Sequence, residues 1–290
     1  MIADEIKMET VYYNGEFITK EEVRISPDDR GFLFADGIYE VVRWYQGSFF
    51  DMPGHVSRLK RSLGELGIIW KDAGAFPSIA AELVSLNNLQ KLPVMIYLQV
   101  TRGAARRTHY YPVPGVPPTA YAFAFEFIPD EISWEKGVNV MLKDDIRWSR
   151  CDIKSVSLLP NTMSFQEAYA AGLKECIFVR NGFITEGSHS NIFFVMNNIL
   201  YTHPESNKIL SGITRKNVLR IALKAGFRII ERAINKHDIS VVSEAFLTNT
   251  SSEITPVTEL GGIRIGTGLP GPVTMLLQKI FRSETSALKG

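Results

Sequence analysis

Cys176-Ile177-Phe178-Val179-Arg180-Asn181-Gly182-Phe183-Ile184-Thr185 places strand-forming residues on both sides of an Asn-Gly pair, which tolerates the positive φ a tight hairpin turn requires. Residues 192–196 and 199–202 flank Asn197-Asn198 and read as a second hairpin. Near the start, Thr10-Val11-Tyr12-Tyr13 and Glu16-Phe17-Ile18 surround Asn14-Gly15, and residues 38–45 and 48–51 meet at Gln46-Gly47. Residues 93–101 and 121–128 read as buried strands, and 245–248 as a short strand opening into a polar turn. Helical spacing puts Val56, Leu59, Leu63 and Leu66 on one face before Gly67, and recurs over 76–89, 161–171, 213–224 and 272–281. Hairpins and helices without a regular βαβ rhythm make the expected class α+β.

The chain has 290 residues, more than the roughly 100–200 of one domain, so two are expected. Strand patterning stops at Ile128-Pro129-Asp130-Glu131 and resumes at Gly137-Val138, which divides the chain into a smaller N-terminal α/β part, 1–128, and a larger part, 129–290. Thirty-two Lys and Arg balance 31 Asp and Glu, so no global field gathers nucleic acid or anionic lipid. Two cysteines, Cys151 and Cys176, are too few for a zinc cluster or a disulfide framework and suit a reducing compartment. Residues 1–7 are acidic without the apolar core of a leader, and no apolar run approaches the ~18 residues that span a bilayer. A cytoplasmic location without metal, membrane or nucleic-acid partner is expected. Signature loops of nucleotide-binding proteins, serine hydrolases and zinc proteases are absent from the sequence.

Several segments can carry chemistry. Lys154, in Cys151-Asp152-Ile153-Lys154-Ser155-Val156-Ser157, has apolar and small neighbours; burial favours a neutral, nucleophilic amine, while a lysine snorkelling from a strand end is the alternative. Glu186 precedes Gly187-Ser188-His189-Ser190-Asn191 within apolar hairpins, where a carboxylate needs a protonated partner such as a pyridinium nitrogen, unless it is a turn carboxylate in water. Leu210-Ser211-Gly212-Ile213-Thr214-Arg215 leads into a helix whose free N–H groups suit a phosphate, or whose start is simply capped by Ser211 or Thr214. Thr248-Asn249-Thr250-Ser251-Ser252-Glu253 offers hydroxyls and turn amides, as a phosphate grip or a polar turn. Arg58 near the start of a helix can add a guanidinium fork. Arg102, Arg106, Arg107 and His109 crowd one proline-bounded loop, and Tyr39 sits in an apolar strand where its hydroxyl needs a partner.

In order along the chain, Asp29-Arg30-Gly31, Asp36-Gly37-Ile38-Tyr39-Glu40-Val41-Val42, Val100-Thr101-Arg102-Gly103, Asp145-Ile146-Arg147-Trp148, Cys151-Asp152-Ile153-Lys154-Ser155, Thr185-Glu186-Gly187-Ser188, Gly212-Ile213-Thr214-Arg215 and Thr250-Ser251-Ser252-Glu253-Ile254-Thr255-Pro256-Val257 resemble the fold-type IV pyridoxal-phosphate (PLP) aminotransferases, and among these the enzymes of D-amino acids. The resemblance implies PLP joined to Lys154, Glu186 beside its ring nitrogen, and its phosphate held by Arg58, Ile213, Thr214 and Thr250, with Asn249, Ser188 and His189 also at the cofactor. It implies a substrate-carboxylate clamp of Tyr39, Arg107 and His109, the last two on a loop reaching in from the partner of a homodimer. It makes 1–128 the domain with the carboxylate loop and 129–290 the PLP-binding domain. It implies ping-pong transamination from D-alanine or D-glutamate type substrates to 2-oxoglutarate or pyruvate, cycling PLP with its amine form (PMP).

The chain departs from that pattern in Ser188-His189-Ser190, where three serines are common, and in Asn249, where a serine is usual; Arg106 stands beside the clamp position of Arg107. The alternatives keep the cofactor and change the substrate (a branched-chain L-amino-acid or (R)-amine transaminase, or a PLP lyase of the same fold) or keep only binding, as a non-catalytic PLP or phosphate carrier.

Overall fold

Asn14 at φ 49° and Gly15 at φ 102° turn β1 (Thr10–Tyr13) back into β2 (Glu16–Thr19) in the computed structural model, which describes residues 9–288. Residues 1–7, on which the reading of the N-terminus rests, lie outside them. The contacts divide the chain into two units: Met1–Ile128 with Ile153–Ser157 and Leu288–Gly290, and Pro129–Asp152 with Leu158–Ala287.

The first unit continues through α1 (Arg30–Phe34), β3 (Gly37–Tyr45), α2 (Met52–Leu66), α3 (Phe76–Leu86), β4 (Pro93–Thr101) and β5 (Thr119–Glu126). Its five strands pair antiparallel in the order β2-β1-β5-β4-β3. Strand alternation turns Ile38, Val42, Val94, Ile96, Leu98 and Val100 toward Leu59, Leu63, Phe76 and Leu83 of the two helices, forming one core. Helix α2 starts where the Asp51 side chain accepts from Gly54 N–H and ends at Gly67, in the left-handed region. The expected strand over 48–51 is absent. Tyr45 N–H donates to Ser48 O, a single bridge joins Trp44 to Phe49, and Asp51 is consumed as the cap of α2, so β3 pairs along its whole length with β4. Helix α3 stops short of residue 89 because the Asn87 amide bonds to both the N–H and the C=O of Thr10.

A short returning segment belongs to this unit. Ile153 is buried in its core, Ser155 bridges Ile38, Tyr39 N–H donates to Lys154 O at 3.0 Å, and Val156 N–H donates to Gly37 O at 3.0 Å. Gly37 leaves room for the close approach of strands, since a Cβ there would meet Val100 O at 2.8 Å.

The second unit holds α4 (Glu131–Lys136), β6 (Val138–Asp144), α5 (Leu159–Ala170), β7 (Cys176–Arg180), β8 (Phe183–Gly187), β9 (Asn191–Met196), β10 (Ile199–Thr202), α6 (Ile213–Lys224), β11 (Arg228–Glu231), β12 (Glu244–Asn249), β13 (Glu253–Leu260), β14 (Ile263–Arg264) and α7 (Pro272–Ser286). The strand order is β11-β10-β9-β12-β13-β6-β7-β8, with β14 beside β13. Strands β8 and β9 are far apart in that order, yet only residues 188–190 separate them and Gly187 N–H donates to Ser190 O at 2.7 Å, so the sheet curls round on itself. Helix α4 occupies the stretch read as a linker; Asp130 caps it, and six residues are too few for a periodic signal. No helix among the described residues is long and apolar enough to cross a membrane.

Leu98 is fully buried between strands and helices. Leu98→Ala is expected to cost about 2–5 kcal/mol, read as a lower midpoint in urea unfolding.

Candidate active site

In the first unit, the alternation of β3 sends Tyr39 and Glu40 to opposite faces of the sheet. Lys154 Nζ lies 4.0 Å from the centre of the Tyr39 ring, which itself stacks on Tyr97 at 5.7 Å. Tyr97 is fixed in turn by donating to Gln99 Oε1 at 2.8 Å, and burial pushes its phenol up to about 12. On the core side, Glu40 is fully buried and accepts from Arg58 Nε at 2.7 Å and Nη2 at 2.8 Å, while His55 Nδ1 lies 2.9 Å from Oε2. Burial alone would raise the Glu40 carboxyl; the Arg58 guanidinium and the hydrogen bonds from Arg58 and His55 reverse that and hold it well below the usual range. Burial lowers His55 despite Glu40, with Arg58 and Lys154 adding to the effect, so the ring is neutral.

Arg107 and His109 both pack on Phe34 of α1, at 5.0 and 5.7 Å between group centres. Their loop is tethered by Arg30, which donates to Thr108 O at 2.7 Å, and by Arg102, which grips Asp36 and the carbonyls of Leu66 and Gly67 while lying 3.4 Å over the Tyr111 ring. Helix α1, unread in the sequence, is therefore the anchor of two expected clamp residues.

In the second unit, Glu186 ends up 4% exposed on β8. Its Oε1 accepts from Arg147 Nη1 at 2.6 Å; its Oε2 accepts from Asn191 Nδ2 at 2.9 Å and Leu210 N–H at 3.0 Å. Arg147 also forks onto Asp145 at 2.9 and 3.0 Å. Burial pushes Glu186 up to about 7, against the pull of Arg147 and Leu210 N–H. A carboxylate so desolvated has use for a further positive N–H partner. Beneath the following turn, buried Glu175 accepts from Ser188 Oγ at 2.5 Å, Ser190 Oγ at 2.7 Å and the N–H of Cys176 and Ser188. His189 Nδ1 lies 3.0 Å from both Ser188 Oγ and Glu175 Oε2, and its ring stands edge-on to Phe165.

Helix α6 begins at Gly212 with no side-chain cap and no acid in its first turn, and Ile213 and Thr214 are buried there. Gly212 is required because a Cβ would collide with Asn191 Oδ1. At the end of β12, Thr248 Oγ1 is buried without a hydrogen-bond partner. Asn249 turns inward: its Oδ1 accepts from Ser252 N–H at 2.5 Å and Ser251 Oγ at 3.1 Å, shaping the turn that presents Thr250. Glu205, half-exposed, accepts from Ser211 Oγ at 2.6 Å and lies 3.5 Å from Arg215 Nη1, while the helix start itself and the Thr248 hydroxyl offer donors that suit an anion.

Tyr39, Arg58 and Lys154 thus belong to one cluster of the first unit; Arg107 and His109 share a loop of it; Glu186, Ser188, His189, Ile213 and Thr214 gather around Asn191 and Glu175 in the second. Glu40, His55, Arg147, Glu175 and Asn191 were not singled out from the sequence. The one visible signal was Glu40 itself, a carboxylate at a core-facing register of an apolar strand.

Residues 37–260 match the profile of the family described as amino-transferase class IV. The chain is 40% identical over 281 residues to the D-alanine aminotransferase of Bacillus licheniformis, covering 95% of this chain and 98% of that one. Among solved structures it resembles the branched-chain amino acid aminotransferase of Escherichia coli with a TM-score of 0.88 at 23% identity, covering 96% and 94% of the two chains. It also resembles the branched-chain amino acid aminotransferase of Thermobaculum terrenum in its PLP form, with a TM-score of 0.84 at 22% identity, covering 97% and 95%.

Glu186 stands near 7 rather than 4.5. A carboxyl held up in the folded chain stabilises it while protonated, so that contribution is complete below about pH 4.5 and is lost as pH rises through about 7. The stability of the cofactor-free protein is expected to fall across this window by up to ~3 kcal/mol. Glu186→Gln should flatten the fall in thermal unfolding measured as a function of pH.

Proposed function

The chain belongs to the class IV aminotransferases, and from that membership we propose that it is a PLP-dependent transaminase moving the amino group of D-amino acids, of the D-alanine and D-glutamate type, to a 2-oxo acid such as 2-oxoglutarate or pyruvate in ping-pong fashion. The observation that carries the substrate class is the identity shared along nearly the whole chain with a D-alanine aminotransferase. The branched-chain enzymes resemble it at lower identity and give no reason for a second reading.

The side chains fit the cofactor. Lys154 supplies an amine, Glu186 a buried carboxylate suited to a protonated ring nitrogen, and α6 with the 248–250 turn a donor set suited to a phosphate, including the orphaned Thr248 hydroxyl. We assign Lys154 to the carbonyl carbon of PLP, Glu186 to the ring nitrogen, Arg58, Ile213, Thr214 and Thr250 to the phosphate, and Asn249, Ser188 and His189 to the shape of the site. Bound PLP supplies an electron sink for the pair left on the substrate Cα, and a carbon that carries the amino group between half-reactions. The Lys154 amine removes the proton from the substrate Cα and returns a proton for the transfer, kept in place by the Tyr39 ring. Glu186 holds the proton on the ring nitrogen, and Arg147 and Asn191 hold Glu186. Tyr39, Arg107 and His109 clamp the substrate carboxylate; the clamp orients the Cα–H bond and so sets handedness. In this reading residues 1–128 provide the carboxylate loop and 129–290 most of the cofactor contacts.

The enzyme acts as a homodimer whose partner receives the clamp loop. In support, Tyr110, Tyr111 and Val113, beside Arg107 and His109, expose large apolar area for a lone chain. The cytoplasm suits its two free, buried cysteines.

Addition of D-alanine, without a keto acid, is expected to bleach the yellow holoenzyme, and L-leucine to leave it unchanged. Bleaching by L-leucine alone would overturn the substrate assignment. Lys154→Ala should lose turnover by about 10²–10⁴-fold or more. Arg107→Ala should raise the KM for D-alanine about tenfold to a hundredfold with a smaller change in kcat, checked by steady-state kinetics.

A further inference from the structure

Residues 188–190 join β8 to β9 in a turn that is tied down from beneath. Buried Glu175 accepts from the hydroxyls of Ser188 and Ser190 and from the N–H of Ser188. Asn161 of α5 donates to Ser188 O at 2.6 Å, and Gly187 lets the backbone close over the carboxylate, since a Cβ there would meet Ser190 Oγ at 2.2 Å. Ser188 and Ser190 are buried, whereas the His189 side chain between them is 46% exposed. The turn does not need that imidazole, because its bonds run through the main chain and the two serines.

The ring is nonetheless held in place. Nδ1 lies 3.0 Å from Glu175 Oε2, and Phe165 of α5 packs against the ring at 5.0 Å between centres. Nε2, the other polar atom of the ring, has no hydrogen-bond partner among the described residues. The turn leads from Gly187, which follows Glu186, to Asn191, and the Asn191 and Glu186 side chains bond to each other at 2.9 Å. His189 therefore borders the place assigned above to the cofactor ring. An imidazole with one nitrogen on a carboxylate and the other unpartnered is suited to a second carboxylate: with a proton on each nitrogen, the ring donates to one carboxylate on either side. Ser188 and Ser190 cannot take that part, since their hydroxyls are engaged on Glu175.

We propose that His189 is a specificity-determining residue that receives, at Nε2, the distal carboxylate of dicarboxylic substrates such as D-glutamate and 2-oxoglutarate. It rests on the transaminase reading above and deepens it: the clamp takes the carboxylate beside the reacting carbon, and His189 takes the one at the end of the side chain. An anionic side chain brought near Glu175 and Glu186 must be met by a donor. The methyl group of D-alanine makes no use of one, so the contribution of His189 is confined to the dicarboxylic substrates.

The test follows bleaching of the yellow holoenzyme by D-glutamate and, separately, by D-alanine, with no keto acid present, and takes the dependence of the rate on donor concentration. His189→Ser is expected to lower the value for D-glutamate by about tenfold or more and to leave that for D-alanine unchanged, so that the ratio of the two falls. His189→Gln, which keeps reach and loses the charge, should lower the ratio in the same direction, and decides the matter if His189→Ser does not fold. A ratio that stays at the wild-type value in the variants overturns the proposal. So does an equal loss for both donors, the mark of a ring that only supports the turn. Either failure leaves the transaminase reading standing, whereas a wild-type holoenzyme bleached by neither donor removes that reading and this proposal with it.

Discussion

A carboxylate taken out of water must be met by a positive or hydrogen-bonding partner, and around Glu186 that requirement organises much of the second unit. Three elements converge on it: Arg147 just beyond β6, Asn191 at the start of β9 and Leu210 ahead of α6. Asn191 also holds Leu210 O, and the segment it holds leads into the uncapped N-terminus of α6. Glu186 and the helix start are therefore fixed relative to each other by one amide, and Gly212 is the residue that lets the backbone come close enough. Arg147 in turn is shared with Asp145, so that two carboxylates compete for one guanidinium. Burial still wins at Glu186, whose carboxyl remains well above its ordinary range. An unmet demand of that kind suits a ligand that brings its own N–H.

The first unit solves the same physical problem differently. Glu40 finds full compensation inside the protein, from Arg58 and His55, and is held far below the ordinary carboxylate range. The two carboxylates thus differ in kind: burial leaves Glu186 high in spite of its partners, whereas Glu40 is closed on the guanidinium of Arg58. Tyr39 and Glu40, adjacent in sequence, are split by the pleat so that one borders Lys154 and the other faces the core. A single strand thereby supports two parts of the site.

Elements with a strong local code were legible. The Asn-Gly turns at 14–15 and 181–182, the buried run of β4 and the amphipathic α2 form where their residues say they should, because turn chemistry and periodicity act over a few neighbouring residues. Strand 48–51 fails because a competing local signal, Asp51 as helix cap, takes the same residues. Helices α1 and α4 span fewer than two turns, too few for the helical period to show, and β11 and the far side of β13 are paired by β10 and β6, strands distant in the chain. Of the candidate site, Lys154, Glu186 and the segments 210–215 and 248–253 stand out as residue types in unusual company; Arg147, Asn191 and Glu175 do not, since an arginine, an asparagine and a glutamate near strand ends are ordinary until something buried is found against them.

By itself the sequence determined the α+β class, the hairpins at the Asn-Gly and Asn-Asn turns, and the class of chemistry through an ordered series of short motifs. Only the tertiary structure decided that residues 153–157 pair with β3 and bring Lys154 to Tyr39, that Arg107 and His109 share Phe34 as their support, and that Glu40 closes on Arg58. The physical reason is range. Turn preferences and amphipathic periods are set by neighbours along the chain, whereas the burial of a charge, and the partner that compensates it, are set by residues tens or hundreds of positions away.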